Sequence, residues 1–144
     1  MKKYKLQDVE ELIRMAIAED IGRGDVTGEA IFPGEAVTSA VIVAKEQGVF
    51  CGGDMISFVY GMINPDIDVL VELADGSAVS PGTIAARIHG CTMDILAGER
   101  VMLNFVQRMS GIATRTAKMV ESLRGTGITL LDTRKTLPGF RILD

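Results

Sequence analysis

The sequence predicts an α+β fold, with one unit over residues 1–110 and the start of a second over 111–144. Three observations carry this. Apolar residues recur at helical spacing near the N-terminus, alternate with period two in the centre, and return to helical spacing over a long segment from about Met93. Beyond Arg124-Gly125-Thr126-Gly127 the pattern changes again, to a short apolar run and a cationic loop.

Val9, Leu12, Ile13, Ala16 and Ile17 fall at i, i+3, i+4, i+7 and i+8, one face of an amphipathic helix. Glu19 to Asp25, with two glycines and alternating charge, ends it. Val37, Ser39, Val41 and Val43 mark a first strand, and the glycines of 48–54 a turn region. A helix is expected over Met55–Met62, stopping near Asn64-Pro65. Ile67 to Leu73 alternates as a second strand, and Thr83–Ile88 is a third, set between Pro81-Gly82 and Gly90. Met102, Phe105, Val106, Met109, Ile112 and Ala113 then keep one helix face, with Ser110-Gly111 as either a weak point or a close contact.

Ile128 to Leu131 has the apolar, partly β-branched character of a buried strand. It leads into Asp132-Thr133-Arg134-Lys135-Thr136, closed by Pro138-Gly139. A cationic loop after a buried strand is where α/β barrels and open α/β sheets place ligand contacts. Guanidinium grips carboxylate or phosphate with a two-pronged fork, and a neighbouring ammonium adds a compact charge. The spacing fits a ligand with several anionic groups, or a solvated loop in which Asp132 pairs with Arg134 or Lys135.

At 47% hydrophobic and 24% charged the composition is that of a soluble globular protein. Residues 1–97 carry 7 basic and 15 acidic side chains, and residues 98–144 carry 8 and 4, for a net charge of −4. The basic tail suits an anionic small molecule better than nucleic acid, being short and poor in aromatics, while Arg115, Lys118 and Arg124 are expected on a solvated helix face. No run reaches the roughly 18 apolar residues of a membrane span, and the basic N-terminus has no apolar run behind it. Cys51 and Cys91, without CxxC spacing, are expected as reduced thiols of a cytoplasmic protein.

Other candidates carry less. Glu99-Arg100 is expected at the start of the long helix, where a cation opposes the dipole unless Glu99 or a bound anion offsets it. His89 is expected at a strand end and is assigned no role, and Gly22 to Asp25 is expected to be a plain loop. Asp75 to Gly90 is similar to the hammerhead turn of biotinyl and lipoyl carrier domains. Lys45 lacks the flanking methionines of a carrier lysine, so the likeness is structural.

Five stretches taken together resemble the quinolinate phosphoribosyltransferase family, the carboxylating nicotinate-nucleotide pyrophosphorylases. They are Glu19 to Thr27, Ala44-Lys45-Glu46-Gln47-Gly48-Val49, Glu99 to Phe105, Ser110-Gly111-Ile112-Ala113-Thr114, and Asp132 to Gly139 with Arg141. The resemblance implies an N-terminal α/β hammerhead-like domain followed by the first helix and strand of an incomplete α/β barrel. It implies conversion of quinolinate and phosphoribosyl pyrophosphate to nicotinate mononucleotide, pyrophosphate and CO₂, with Mg²⁺ on the pyrophosphate. By the same resemblance Arg134 and Lys135 are the catalytic residues, and Arg100, Thr133, Arg134 and Lys135 bind substrate. Arg100 is expected to reach the partner's site in a homodimer or higher homo-oligomer.

Gly28 departs from the family pattern, where many relatives have threonine. The family's later glycine-rich, His-Arg, metal and phosphate contacts would lie beyond Asp144. The 144-residue chain alone is therefore expected to be inactive, with an open edge at strand 128–131. Two alternatives stand beside this reading: the pyrophosphorylase-like paralogue of molybdenum-transport operons, and a non-catalytic oligomerisation or anion-binding module.

Overall fold

The computed structural model describes residues 4–22, 24, 28, 31–32 and 34–144. The chain is α+β, as its patterning predicts. Helix α1 (Leu6–Ile21) starts where the Asp8 carboxylate accepts the Lys5 backbone N–H at 2.8 Å, and it stops at Gly22. Its apolar stripe is real: Val9 and Ile13 are buried, and Leu12, Ala16 and Ile17 pack around them. Arg23 and residues 25–27 lie outside the described residues, and with them part of the first family-like stretch and of the loop expected over Gly22 to Asp25.

Strands β1 (Val37–Val43), β3 (Asp68–Val71) and β5 (Ile84–Cys91) form an antiparallel sheet in the order β1-β5-β3. The valine alternation marks strand β1 correctly, but Thr38, Ala40 and Ile42 face inward. Val37 stays 62% exposed, and a register shift after Ile42 brings Val43 partly in. Strands β2 (Gly48–Val49) and β4 (Ala78–Val79) make a separate two-stranded ladder. The Pro81-Gly82 turn closes through the Thr83 N–H on the Ser80 carbonyl at 3.0 Å.

Helices α2 (Gly53–Ile63) and α3 (Thr92–Ser122) cover the sheet. Met55, Ile56, Val59 and Tyr60 of α2 meet Ala86 and Ile88 of β5 and Val101, Met102 and Phe105 of α3 in one buried core. Gly98 lets the helices close up, since a Cβ there would lie 2.7 Å from Tyr60 and from Ile63. The Tyr60 hydroxyl donates to the Ile95 carbonyl at 3.2 Å. Burial first, then Glu99, pushes its phenol up to about 12. Among the described residues no helix is long and apolar enough to cross a membrane.

Three expectations need correction. Residues 128–131 do not form a strand: Ile128 is 63% and Leu131 79% exposed, with no ladder beside them. A parallel strand exists by pairing with neighbours and by cover on both faces, and the described residues offer this segment neither. Arg100 is not at a helix start, because α3 begins at Thr92 and the dipole acts mainly over the first turn. His89 is not at a strand end. It sits within β5, its Nδ1 hydrogen-bonded to Ser39 Oγ at 2.9 Å.

Candidate functional site

The long helix α3 anchors the segments on either side of it. It passes through Ser110-Gly111 unbroken, and Ser110 marks a close contact with the β2 segment. The Ser110 hydroxyl accepts from the Cys51 backbone N–H at 3.0 Å and donates to the Cys51 carbonyl at 3.0 Å. One turn on, Thr114 Oγ1 accepts the Val49 N–H at 2.8 Å. Residues two apart on a strand are about 6.6 Å apart, and residues four apart on a helix rise about 6 Å, so the two spacings match. These hydroxyls stand in for a missing ladder partner. Gly48 is required at the contact, because a Cβ would lie 2.7 Å from Thr114 Oγ1.

On its other side β2 leads into α2, whose N-terminus is capped from a distance. Asp75 Oδ1 accepts the N–H groups of Gly52 and Gly53 at 2.9 and 3.0 Å. Burial and then the Asp75 charge raise the pKa of the neighbouring Cys51 thiol. A thiol held protonated is a poor nucleophile, so no chemistry is assigned to it.

The segment after α3 returns to it. Phe140 stacks on Phe105 with ring centroids 5.8 Å apart, and the Arg108 guanidinium lies 4.8 Å above the Phe140 ring. Arg108 also grips both Asp144 carboxylate oxygens at 2.7 Å, and Leu143 is buried. This anchor bounds a cleft of about 540 Å³ with Glu19, Asp20 and Asn104 on its wall.

The anchored segment carries the cationic loop. Thr133, Arg134 and Lys135 are all exposed. Thr133 Oγ1 accepts the Lys135 backbone N–H at 3.2 Å, a local turn spanning Arg134. The Arg134 carbonyl accepts from Arg141 at 3.4 Å. Among the described residues neither the Arg134 nor the Lys135 side chain has a carboxylate partner, so the local pairing with Asp132 is not made. Arg100, 74% exposed, pairs instead with Asp20 at 2.8 Å. The loop brings Thr133, Arg134 and Lys135 together, and Arg100 is committed to the end of α1.

Sequence reasoning offered Ser110-Gly111 as a close contact without naming its partner, and passed over Arg108 and Thr114 as contacts. The hydroxyls at i and i+4 on a half-buried helix face were the available signal for Ser110 and Thr114.

Comparison with known proteins gives one answer throughout. The family model described as the quinolinate phosphoribosyl transferase N-terminal domain matches residues 25–110, and its C-terminal-domain counterpart matches 112–144. A probable nicotinate-nucleotide pyrophosphorylase (carboxylating) of Bacillus subtilis is 40% identical over 136 residues, 94% of this chain and 47% of that protein. A chloroplastic nicotinate-nucleotide pyrophosphorylase (carboxylating) of Oryza sativa is 40% identical over 138 residues, 95% of this chain and 37% of the relative. The crystal structure of NadC from Streptococcus pyogenes superposes with a TM-score of 0.95 at 30% identity, covering 99% of this chain and 51% of the other. A nicotinate-nucleotide pyrophosphorylase structure from Francisella tularensis gives 0.91 at 34% identity, covering 97% and 50%. The chain thus spans about half the length, or less, of the curated relatives it matches. It belongs to the quinolinate phosphoribosyltransferase family.

Proposed function

We propose that this chain acts in phosphoribosyl transfer to quinolinate, supplying the first anion-binding loop and one arginine of a site shared between copies. The observation that carries the reading is the exposed pair Arg134 and Lys135, free of carboxylate partners among the described residues, in a chain of this family. Quinolinate presents two carboxylates on a flat ring. Arg134 would grip one with its fork, Lys135 would add a point charge, and Thr133 would offer its hydroxyl. Arg100 of a second copy would complete neutralisation, leaving Asp20 to do so.

Transfer of the ribosyl group builds negative charge on departing pyrophosphate, and preorganised cations lower that barrier. Mg²⁺ would accompany phosphoribosyl pyrophosphate. Among the described residues no group of three or more His, Cys, Asp or Glu could hold it, and the loop is cationic. Soluble anionic substrates suit a cytoplasmic enzyme.

The test joins this chain to the C-terminal half of the Bacillus subtilis relative and follows nicotinate mononucleotide by chromatography. The joined protein is expected to form product from quinolinate and phosphoribosyl pyrophosphate, while the 144-residue chain alone forms none. A properly folded joined protein that binds neither substrate would remove the reading. Turnover by the chain alone would overturn the expectation that it supplies only part of the site.

A further inference from the structure

Between the β1–β2 connection and the middle of α3 lies an open cleft of about 710 Å³, the size of a small-molecule site. Its floor is apolar: Phe50, Ala85 and Val106 are buried there, and Ile42, Val79 and Leu103 half-buried. Its rim is polar, with Lys45 and Gln47 on the connection and Gln107, Arg115 and Lys118 on α3. Among the described residues none of these five side chains has a hydrogen-bond or ion-pair partner. Elsewhere Arg14, Arg87, Arg100, Arg108 and Arg124 each hold a carboxylate.

Charge points the same way. Among the described residues Glu46 is the one acid lining the cleft, against three cations, in a chain whose net charge is −4. A positive hollow on a negative molecule concentrates anions. The walls are also fixed before anything binds, since Ser110 and Thr114 clamp the β2 segment to α3. A preformed site gives up less free energy in ordering itself around a ligand.

We infer that this cleft binds a small amphipathic anion, its flat or short apolar body on the floor and its carboxylate, sulfonate or phosphate against Lys45, Arg115 and Lys118. None of the residues lining the cleft belongs to the Thr133–Lys135 loop, and Arg100 is not among them.

The probe is anilinonaphthalene sulfonate, titrated by fluorescence into the 144-residue chain, with neutral phenylnaphthylamine as the control lacking the charge. One sulfonate probe per chain is expected, with affinity that falls as salt is raised. The double variant Arg115→Gln/Lys118→Gln should weaken it roughly fivefold or more. Lys45→Gln should shift it the same way. All three residues are exposed, so the fold should survive, as checked by circular dichroism. Binding of the neutral control should not change, and Arg134→Gln/Lys135→Gln should leave the sulfonate affinity intact. Unchanged affinity in the Arg115/Lys118 variant overturns the proposal, as does its loss in the Arg134/Lys135 variant. Self-association that displaces the probe would show a second copy in the cleft, and that too would overturn it.

Discussion

Arg134→Ala, in the chain joined to the C-terminal half of the Bacillus subtilis relative, should lower kcat/KM for nicotinate mononucleotide formation roughly 10²-fold or more. The magnitude follows from removing one partner of a desolvated, two-pronged charge pair, which costs about 2–5 kcal/mol. Arg134 has no carboxylate partner among the described residues, so its removal breaks no ion pair of the fold. The loss should therefore appear in steady-state kinetics with the melting temperature unchanged. Arg134→Lys should recover only part of it, because an ammonium keeps the charge and lacks the fork. Near-wild-type turnover in the alanine variant would strip Arg134 of its role.

The largest effect on stability should come from the helix hydroxyls. Ser110→Ala with Thr114→Val leaves the Val49 and Cys51 N–H groups and the Cys51 carbonyl without their partners. A half-buried backbone group left unsatisfied costs about 1–3 kcal/mol. The pair should cost about 3 kcal/mol in urea unfolding. For a chain of this size the melting temperature should fall by roughly 10 °C. Thr114→Ser keeps the oxygen and should stay within about 1 kcal/mol of the parent. Equal stability of the Ala/Val variant and the parent would mean that water replaces these bonds at no cost.

Why this clamp escaped the sequence is plain from its geometry. Thr114 and Val49 are 65 residues apart, and no local pattern announces a partner at that distance. The α1 stripe was legible because its own period places Val9 and Ile13 on one face. Strand β1 was legible as a strand but not for its orientation, since Val37 and Val41 on one side compete with Ala40 and Ile42 on the other. Residues 128–131 show the opposite failure: an apolar run states what the segment would bury, and burial depends on neighbours the described residues do not supply.

The candidate site divides the same way. The adjacency of Thr133, Arg134 and Lys135 is a property of the chain and could be read directly. That Arg108 fastens the following segment through Phe140 and Asp144 is a property of packing. The pairing of Arg100 with Asp20 joins residues 80 apart, and nothing local to either one signals it.

The most direct test of the shared-site account mixes two inactive variants of the joined protein, Arg100→Ala and Arg134→Ala. If each site draws Arg100 from one copy and Arg134 from the other, a mixed dimer holds one intact site and one doubly defective site. Equal mixing with exchange should then restore about a quarter of the parent's nicotinate mononucleotide formation. No recovery, with subunit exchange shown by native mass spectrometry, would mean that Arg100 and Arg134 serve the same copy's site or separate purposes.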